Sequence, residues 1–171
     1  MPYFRTFKGL TSYMNKQGGM QKNPKFSTGK DLRAVLLDEA EKLKKLIQKY
    51  IDAYYSSYSP SLYTRTYDFQ NSLRIETVKQ EGTMLSVKIY FDPTLATHPS
   101  VFGQEDGFVP ILINDGWQWK NGKTEPYRFA RYEGYQFVEK AIDEYNKNND
   151  YGFTIRVVKK YKNRTIQDKS Y

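Results

Sequence analysis

The chain has 171 residues, a formal charge of +8, 39% hydrophobic residues and no cysteine, the length of one domain with room for an arm or tail. Without cysteine, disulfides, thiolate metal sites and cysteine nucleophiles are excluded. No apolar run is long enough to span a bilayer, and Met1-Pro2-Tyr3-Phe4-Arg5 lacks the apolar core of a signal peptide, which points to a soluble protein made in a cytoplasm, with no membrane partner.

The charge is unevenly spread. Residues 1–30 carry Arg5, Lys8, Lys16, Lys22, Lys25 and Lys30 with no acid, a net of +6. Residues 151–171 carry Arg156, Lys159, Lys160, Lys162, Arg164 and Lys169 against Asp168, a net of +5. Subtracting both from +8 leaves the middle at −3. Basic ends around a mildly acidic body read either as arms reaching a polyanion or an acidic neighbour, or as a means of staying soluble.

In chain order, Tyr3-Phe4-Arg5-Thr6-Phe7 reads as a short strand or an anchoring arm. Residues from Leu10 to Gly29 have loop composition, with Gly18-Gly19 and Asn23-Pro24. Residues 1–30 are thus expected to be a basic N-terminal arm, flexible until it meets a partner, because too little apolar surface is present to offset the entropy of ordering. Thr28-Gly29-Lys30-Asp31 resembles a capping box that opens a helix. Apolar residues then recur in steps of three and four from Leu32 and Val35 through Leu43, Ile47, Ile51 and Tyr54 to Tyr58, the mark of a long amphipathic helix.

Pro60 ends that pattern, and Tyr63-Thr64-Arg65-Thr66-Tyr67-Asp68-Phe69-Gln70-Asn71-Ser72-Leu73 follows as a corner rich in groups that bond nearby backbone. Arg65 offers a rigid fork of donors, and Asp68 reads as the cap of one short helical turn. Beyond it the period changes to two: Leu73 and Ile75, then Leu85, Val87, Ile89 and Phe91, about a turn at Gln80-Glu81-Gly82, spell a β-hairpin with one buried face.

Residues 92–126 form a long irregular connection that is too apolar for free disorder, with Phe102, Phe108, Trp117 and Trp119. Val109–Asn114 reads as a short helix or strand. The expectation is a projecting flap whose aromatic residues Phe102, Phe108, Trp117 and Trp119 pack against another subunit; the other reading has the tryptophans folding back on their own subunit. A second helix is expected from about Phe129 to Asn146, with Gly134, Phe137, Val138, Ala141 and Ile142 on one face, then a third strand through Phe153, Ile155 and Val157, and a polar, basic tail over 162–171. The order α-β-β-α-β predicts an α+β fold over 31–161: a small, antiparallel-rich sheet of three to four strands with two helices on one face.

The residues offer no catalytic constellation. His98 is the only histidine, so a two-histidine metal site cannot be built within one chain. Glu105-Asp106 with Asp115 is a carboxylate grouping of a kind that any acid-containing chain offers. No phosphate-cradling glycine loop, zinc spacing or nucleophile elbow is present, so no metal or cofactor is expected. Basic ends and many tyrosines admit a second class of function, a small nucleic-acid-binding protein, although the tyrosines mostly lie at helical spacing.

The corner resembles the Y-x-R-T-G-x-L-x-x-S-I corner of tailed-phage tail-completion (head–tail joining, neck) proteins, with Tyr63, Arg65, Thr66, Asp68 and Ser72 as its structural residues. Pro126-Tyr127-Arg128-Phe129-Ala130 is similar to the Pro-Phe-x-x-x-Ala of that family's second helix. Tyr67 stands where glycine is common and Phe69 where leucine is common. The resemblance covers roughly residues 31–160. It implies a non-enzymatic virion protein, assembled in the host cytoplasm, whose copies form a ring between the portal or connector and the tail around the DNA path. Its partners would be further copies of itself, portal or connector and tail proteins, and DNA contacted without sequence preference. Arg5, Lys8, Lys16, Lys22, Lys25, Lys159, Lys160, Lys162 and Arg164 would then face those partners.

Overall fold

A computed structural model describes residues 31–57, 66–81, 84–98, 107–118, 131–149, 151, 153–161 and 164–171. Two helices make its core. Helix α1 spans Leu32–Ser56 and buries Val35, Glu39, Ala40, Leu43, Ile47 and Ile51, the stripe set by its steps of three and four. It begins at Leu32 with extended Asp31 as its cap, and Asp31 makes no side-chain capping bond. The expected capping box therefore does not have Asp31 inside the helix. The C-terminal end comes before Tyr58, where both the Ser57 N–H and its hydroxyl donate to the Tyr54 carbonyl.

The corner leads into a hairpin built in two halves. Strand β1 (Leu73–Ile75) pairs with β4 (Ile89–Phe91), Leu73 facing Phe91 and Ile75 facing Ile89. Strand β2 (Lys79–Glu81) pairs with β3 (Met84–Ser86), Lys79 facing Ser86. Residues 76–78 thus oppose only 87–88, a bulge that shifts the register by one and separates a half-buried inner ladder from a mostly exposed outer one. Met84, 63% exposed, stands on the outer half.

The long connection is structured in its described parts. Asp92 caps a single turn, α2 (Pro93–Ala96), by accepting from the Thr94 N–H and hydroxyl, with Pro93 at the first turn where its missing N–H costs nothing. Strands β5 (Thr97–His98) and β6 (Gly107–Phe108) pair at the base of one excursion. Helix α3 (Val109–Asp115) follows, resolving the helix-or-strand alternative as helix. Strands β7 (Trp117–Gln118) and β8 (Arg131–Tyr132) pair at the base of the second excursion.

Helix α4 spans Phe137–Asn148 and packs along α1. The expected start near Phe129 is corrected here. Gly134 (φ +87°) and Gln136 (φ 55°) lie in the left-handed region, and the N–H groups of Tyr135 and Gln136 donate to the Ile113 and Asn114 carbonyls, so the chain approaches α4 as a strand-like segment. A side chain at Gly134 would meet the Asn114 carbonyl oxygen at 2.5 Å, and one at Gly116 the Tyr132 carbonyl oxygen at 2.1 Å. These two glycines are what let the segments touch.

Strand β9 (Arg156–Tyr161) is the expected third strand, shifted a few residues along. Residues 164–170, expected as a polar tail, instead form β10 (Arg164–Ser170), which pairs antiparallel with β9 with an irregularity between Thr165 and Gln167. Tyr171 continues the pairing by exchanging backbone bonds with Ile155. The hairpin has strand periodicity because Val157 faces the core while Arg156 and Val158 face solvent.

The fold is α+β, mixed helix and antiparallel strand. Among the described residues the strands form two-stranded ladders rather than one sheet of three or four. The core joins Leu43, Ile47 and Ile51 of α1, Phe69 and Leu73 of the corner, and Phe137, Ala141, Ile142 and Tyr145 of α4. No helix of the described residues is long and apolar enough to cross a membrane.

Candidate assembly surface at the aromatic corner

The corner closes on itself through short-range bonds. The Asn71 N–H donates to the Tyr67 carbonyl and the Ser72 N–H to the Phe69 carbonyl, making one helical turn. The fully buried Ser72 hydroxyl also donates to the Phe69 carbonyl at 2.7 Å, and the Asp92 N–H donates to the Ser72 carbonyl. A helix residue locks the turn from behind. Gln48 donates to the Gln70 carbonyl, and Gln70 and Gln48 both donate to Asp52. Thr66 accepts a long 3.4 Å bond from the Asp68 N–H, and the first carbonyl of the turn is that of Tyr67, so Asp68 lies inside the turn rather than capping it.

Tyr67 is the conformational pivot. Its φ of 62° is left-handed, a region that non-glycine residues enter at a cost of about 1 kcal/mol or more. This is the position at which the resembled corner commonly carries glycine, so the backbone demand is met here by a tyrosine. Its ring, 47% exposed, stacks on Tyr55 at 5.8 Å with planes 29° apart, and ring contacts of this kind offset part of that strain. Phe69, 4% exposed, turns inward against Phe91 and Phe137 and fills the core side of the same turn.

From Tyr67 a strip of half-buried rings runs along the surface. Tyr55 meets Tyr54 edge-on at 5.8 Å; Tyr54 in turn meets Tyr135 at 5.4 Å and Tyr132 at 6.5 Å. The Lys140 ammonium lies 3.7 Å from the Tyr135 ring centre, a cation–π contact. Tyr132 is the backbone partner of Trp117. The strip therefore joins the corner to the base of the second excursion, the flap expected to meet a neighbour. Phe108 is half-buried in β6. For Trp117 the structure fixes the backbone in β7 and not the ring, and Phe102 and Trp119 lie outside the described residues, as do Tyr63 and Arg65 of the corner.

The basic residues divide differently from expectation. Lys159, expected to face a partner, has a side chain only 10% exposed and contacts Asp115 and Glu139 of its own subunit. Burial alone would lower its pKa, but those two carboxylates outweigh it and hold the ammonium above its ordinary value. Arg156 pairs in two-pronged fashion with Asp168 across the β9–β10 hairpin. Lys160 and Arg164 are placed on that hairpin by backbone alone, and Arg5, Lys8, Lys16, Lys22, Lys25 and Lys162 lie outside the described residues.

Sequence reading missed two buried polar groupings. Asn114, 2% exposed, accepts from the Val138 N–H at the first turn of α4 and donates to Asp115 and Glu139. Glu39, 5% exposed, accepts from the Tyr145 hydroxyl at 3.0 Å and from Lys42. Burial, then the bond to Glu39, pushes the Tyr145 phenol well above its ordinary pKa. The only available hint was an Asn closing the apolar run 109–113; Glu39 reads from the sequence as part of the charged, solvated face of α1, and the structure buries it instead. Among the described residues no group of three or more His, Asp or Glu is arranged to hold a metal ion.

A protein-family model described as YomN matches residues 11–163. The chain belongs to the YomN family. That family is phage-associated, which fits the origin of the resemblance carried by the corner. Neither a search of curated proteins nor one of solved structures gave a match. In this YomN-family chain the match takes in the corner, both excursions and the helix pair, and stops before β10.

Proposed function

We propose that this YomN-family protein is a structural component of a tailed-phage virion, a neck or tail-completion part whose copies form a ring joining the head to the tail around the DNA path. The observation that carries the reading is Tyr67. The tail-completion corner commonly has glycine at this place, and the chain keeps the glycine-type backbone (φ 62°) without the glycine. A conformation retained against its steric cost marks a turn whose shape matters.

The tyrosine strip from Tyr67 to Tyr132 is the proposed contact with the neighbouring copy, continued by Trp117 and Trp119 on the flap. Rings with a polar edge suit such a boundary, since they bury area while the hydroxyl stays solvated or bonded. Two of the C-terminal cations, Arg156 and Lys159, already serve carboxylates of their own chain. Contact with the DNA path therefore falls to the N-terminal arm, Lys160, Lys162 and Arg164. Weak, salt-sensitive binding of random DNA by the lone protein is expected from these few charges; tight binding of that kind would favour the nucleic-acid-binding alternative.

The test is incorporation. Trp117→Ala combined with Trp119→Ala is expected to leave the thermal transition of the isolated protein nearly unchanged and to abolish incorporation into particles. A double variant that assembles normally, or one that unfolds alone, overturns the interface reading.

A further inference from the structure

The polar junction between α3, α4 and β9 has the parts of an acyl-transfer site inside one chain. Its acyl group is the Asn114 carboxamide, 2% exposed. Its nucleophile is the Lys159 amine, on a side chain 10% exposed. Glu139 bridges them: Oε2 accepts from Asn114 Nδ2 at 2.8 Å while Oε1 accepts from Lys159 Nζ at 3.3 Å. Both nitrogens also bond the same oxygen, Oδ1 of Asp115, which holds them side by side. The Asn114 carbonyl oxygen accepts from the Val138 N–H at 2.9 Å, at the positive end of α4.

We propose that Lys159 and Asn114 form an intramolecular isopeptide bond, with Glu139 as proton carrier. The inference rests on this geometry and is independent of the neck reading. Lys159 rests as an ammonium, the form that Asp115 and Glu139 favour, and it reacts only from the minor state in which one proton has passed to Oε1 of Glu139, so the step is slow. The freed Nζ lone pair adds to Cγ of Asn114, and the carbonyl electrons move onto Oδ1, where the Val138 N–H stabilises the charge. Rotation of the Glu139 carboxyl about Cγ–Cδ then carries that proton from the lysine side to Nδ2. The Cγ–Nδ2 bond then breaks, the Nζ–Cγ amide remains, and ammonia leaves, taking the second lysine proton as ammonium. Asp115 positions the two nitrogens and gains or loses no atoms. No oxidant, metal or cofactor enters the balance. The product ties the C-terminal hairpin covalently to the α3–α4 junction.

The experiment is intact mass measurement of the purified full chain, fresh and after prolonged storage, followed by peptide fragmentation. The expected result is a mass lower by one ammonia, with a branched peptide linking residues 114 and 159. Lys159→Arg keeps the ion pairs but supplies no nucleophile, and Glu139→Gln removes the proton carrier; both are expected to restore the full mass while folding normally. A full mass in the stored wild-type chain overturns the proposal. So does ammonia loss that maps to a ring closed between Asn114 and Asp115, or water loss that maps to an Asp115–Lys159 link.

Discussion

The first turn of α4 divides two regions built from opposite chemistry. On one side Phe137 meets Phe69 and Phe91, each pair of ring centres 5.9 Å apart, and the contacts continue outward to Tyr55 and Tyr67. On the other, one residue along, the Val138 N–H and Glu139 enter the network of Asn114, Asp115 and Lys159. The aromatic side is held by area and ring geometry, which pH and salt leave nearly untouched. The polar side is held by bonds whose strength depends on every partner being present, since a buried group left alone keeps its full desolvation cost. One turn of helix is thus fixed by packing against the corner and by charge against the C-terminal hairpin.

The largest effect separating the two regions is expected at Phe137, which is fully buried. Phe137→Ala should lower stability by about 3–5 kcal/mol, read as a shift in the denaturant midpoint. A loss below about 1 kcal/mol would mean that the aromatic side does not organise the core.

Asn114→Ala comes next. Compared with freshly purified chain in which residues 114 and 159 are not yet linked, it strands the Val138 N–H and removes a shared partner of Asp115 and Glu139, so a loss of about 1–3 kcal/mol is expected. Asn114→Asp keeps the acceptor for Val138 but sets a third carboxylate beside two, and should cost a similar amount. If both variants melt like wild type, the polar side is ornament rather than support.

The helix pair supplies a smaller, pH-dependent term. The Tyr145 phenol has a folded-state pKa raised above its ordinary 10.0 by burial and by Glu39. A raised value contributes stability that is complete below the unfolded pKa and is lost as pH rises through the folded one. Denaturant midpoints should therefore hold steady at neutral pH and fall beyond about pH 10. Tyr145→Phe is expected to flatten that fall; an unaltered alkaline profile in the variant would assign it to other groups.

Tyr67 is expected to show the smallest change in stability. Tyr67→Gly relieves a left-handed tyrosine, a gain of about 1 kcal/mol, and loses a ring stack of about the same size. The folded protein should stay within about 1 kcal/mol of wild type, while incorporation into particles drops because the exposed end of the tyrosine strip is gone. A variant that assembles at the wild-type level would remove Tyr67 from the proposed contact.

The same contrast explains what the sequence disclosed. The apolar side was legible because periodicity reports burial locally: α1, the hairpin and the face of α4 carrying Phe137, Ala141 and Ile142 all follow from spacing. The start of α4 was not, because Gly134 and Gln136 look helix-compatible in one dimension. What excludes them is backbone bonding to Ile113 and Asn114. Residues 164–170 read as tail because alternating polar residues carry little apolar signal, and their strand comes from pairing with β9. The polar junction was illegible for a similar reason. Asn114 and Glu139 stand 25 residues apart, and Asp115 and Lys159 44, so no local pattern announces them. Counting Lys159 with the partner-facing cations followed from net charge, which says nothing of where each charge goes. At the corner the residue types announced a fixed turn; the left-handed tyrosine could be suspected only from the resemblance.

The claim that this YomN-family chain joins head to tail is tested most directly by imaging purified phage particles carrying a label on this protein. The account predicts a closed ring of label at the junction of head and tail, centred on the DNA path. Label on the capsid shell, at the distal tail or absent from the particle would contradict it.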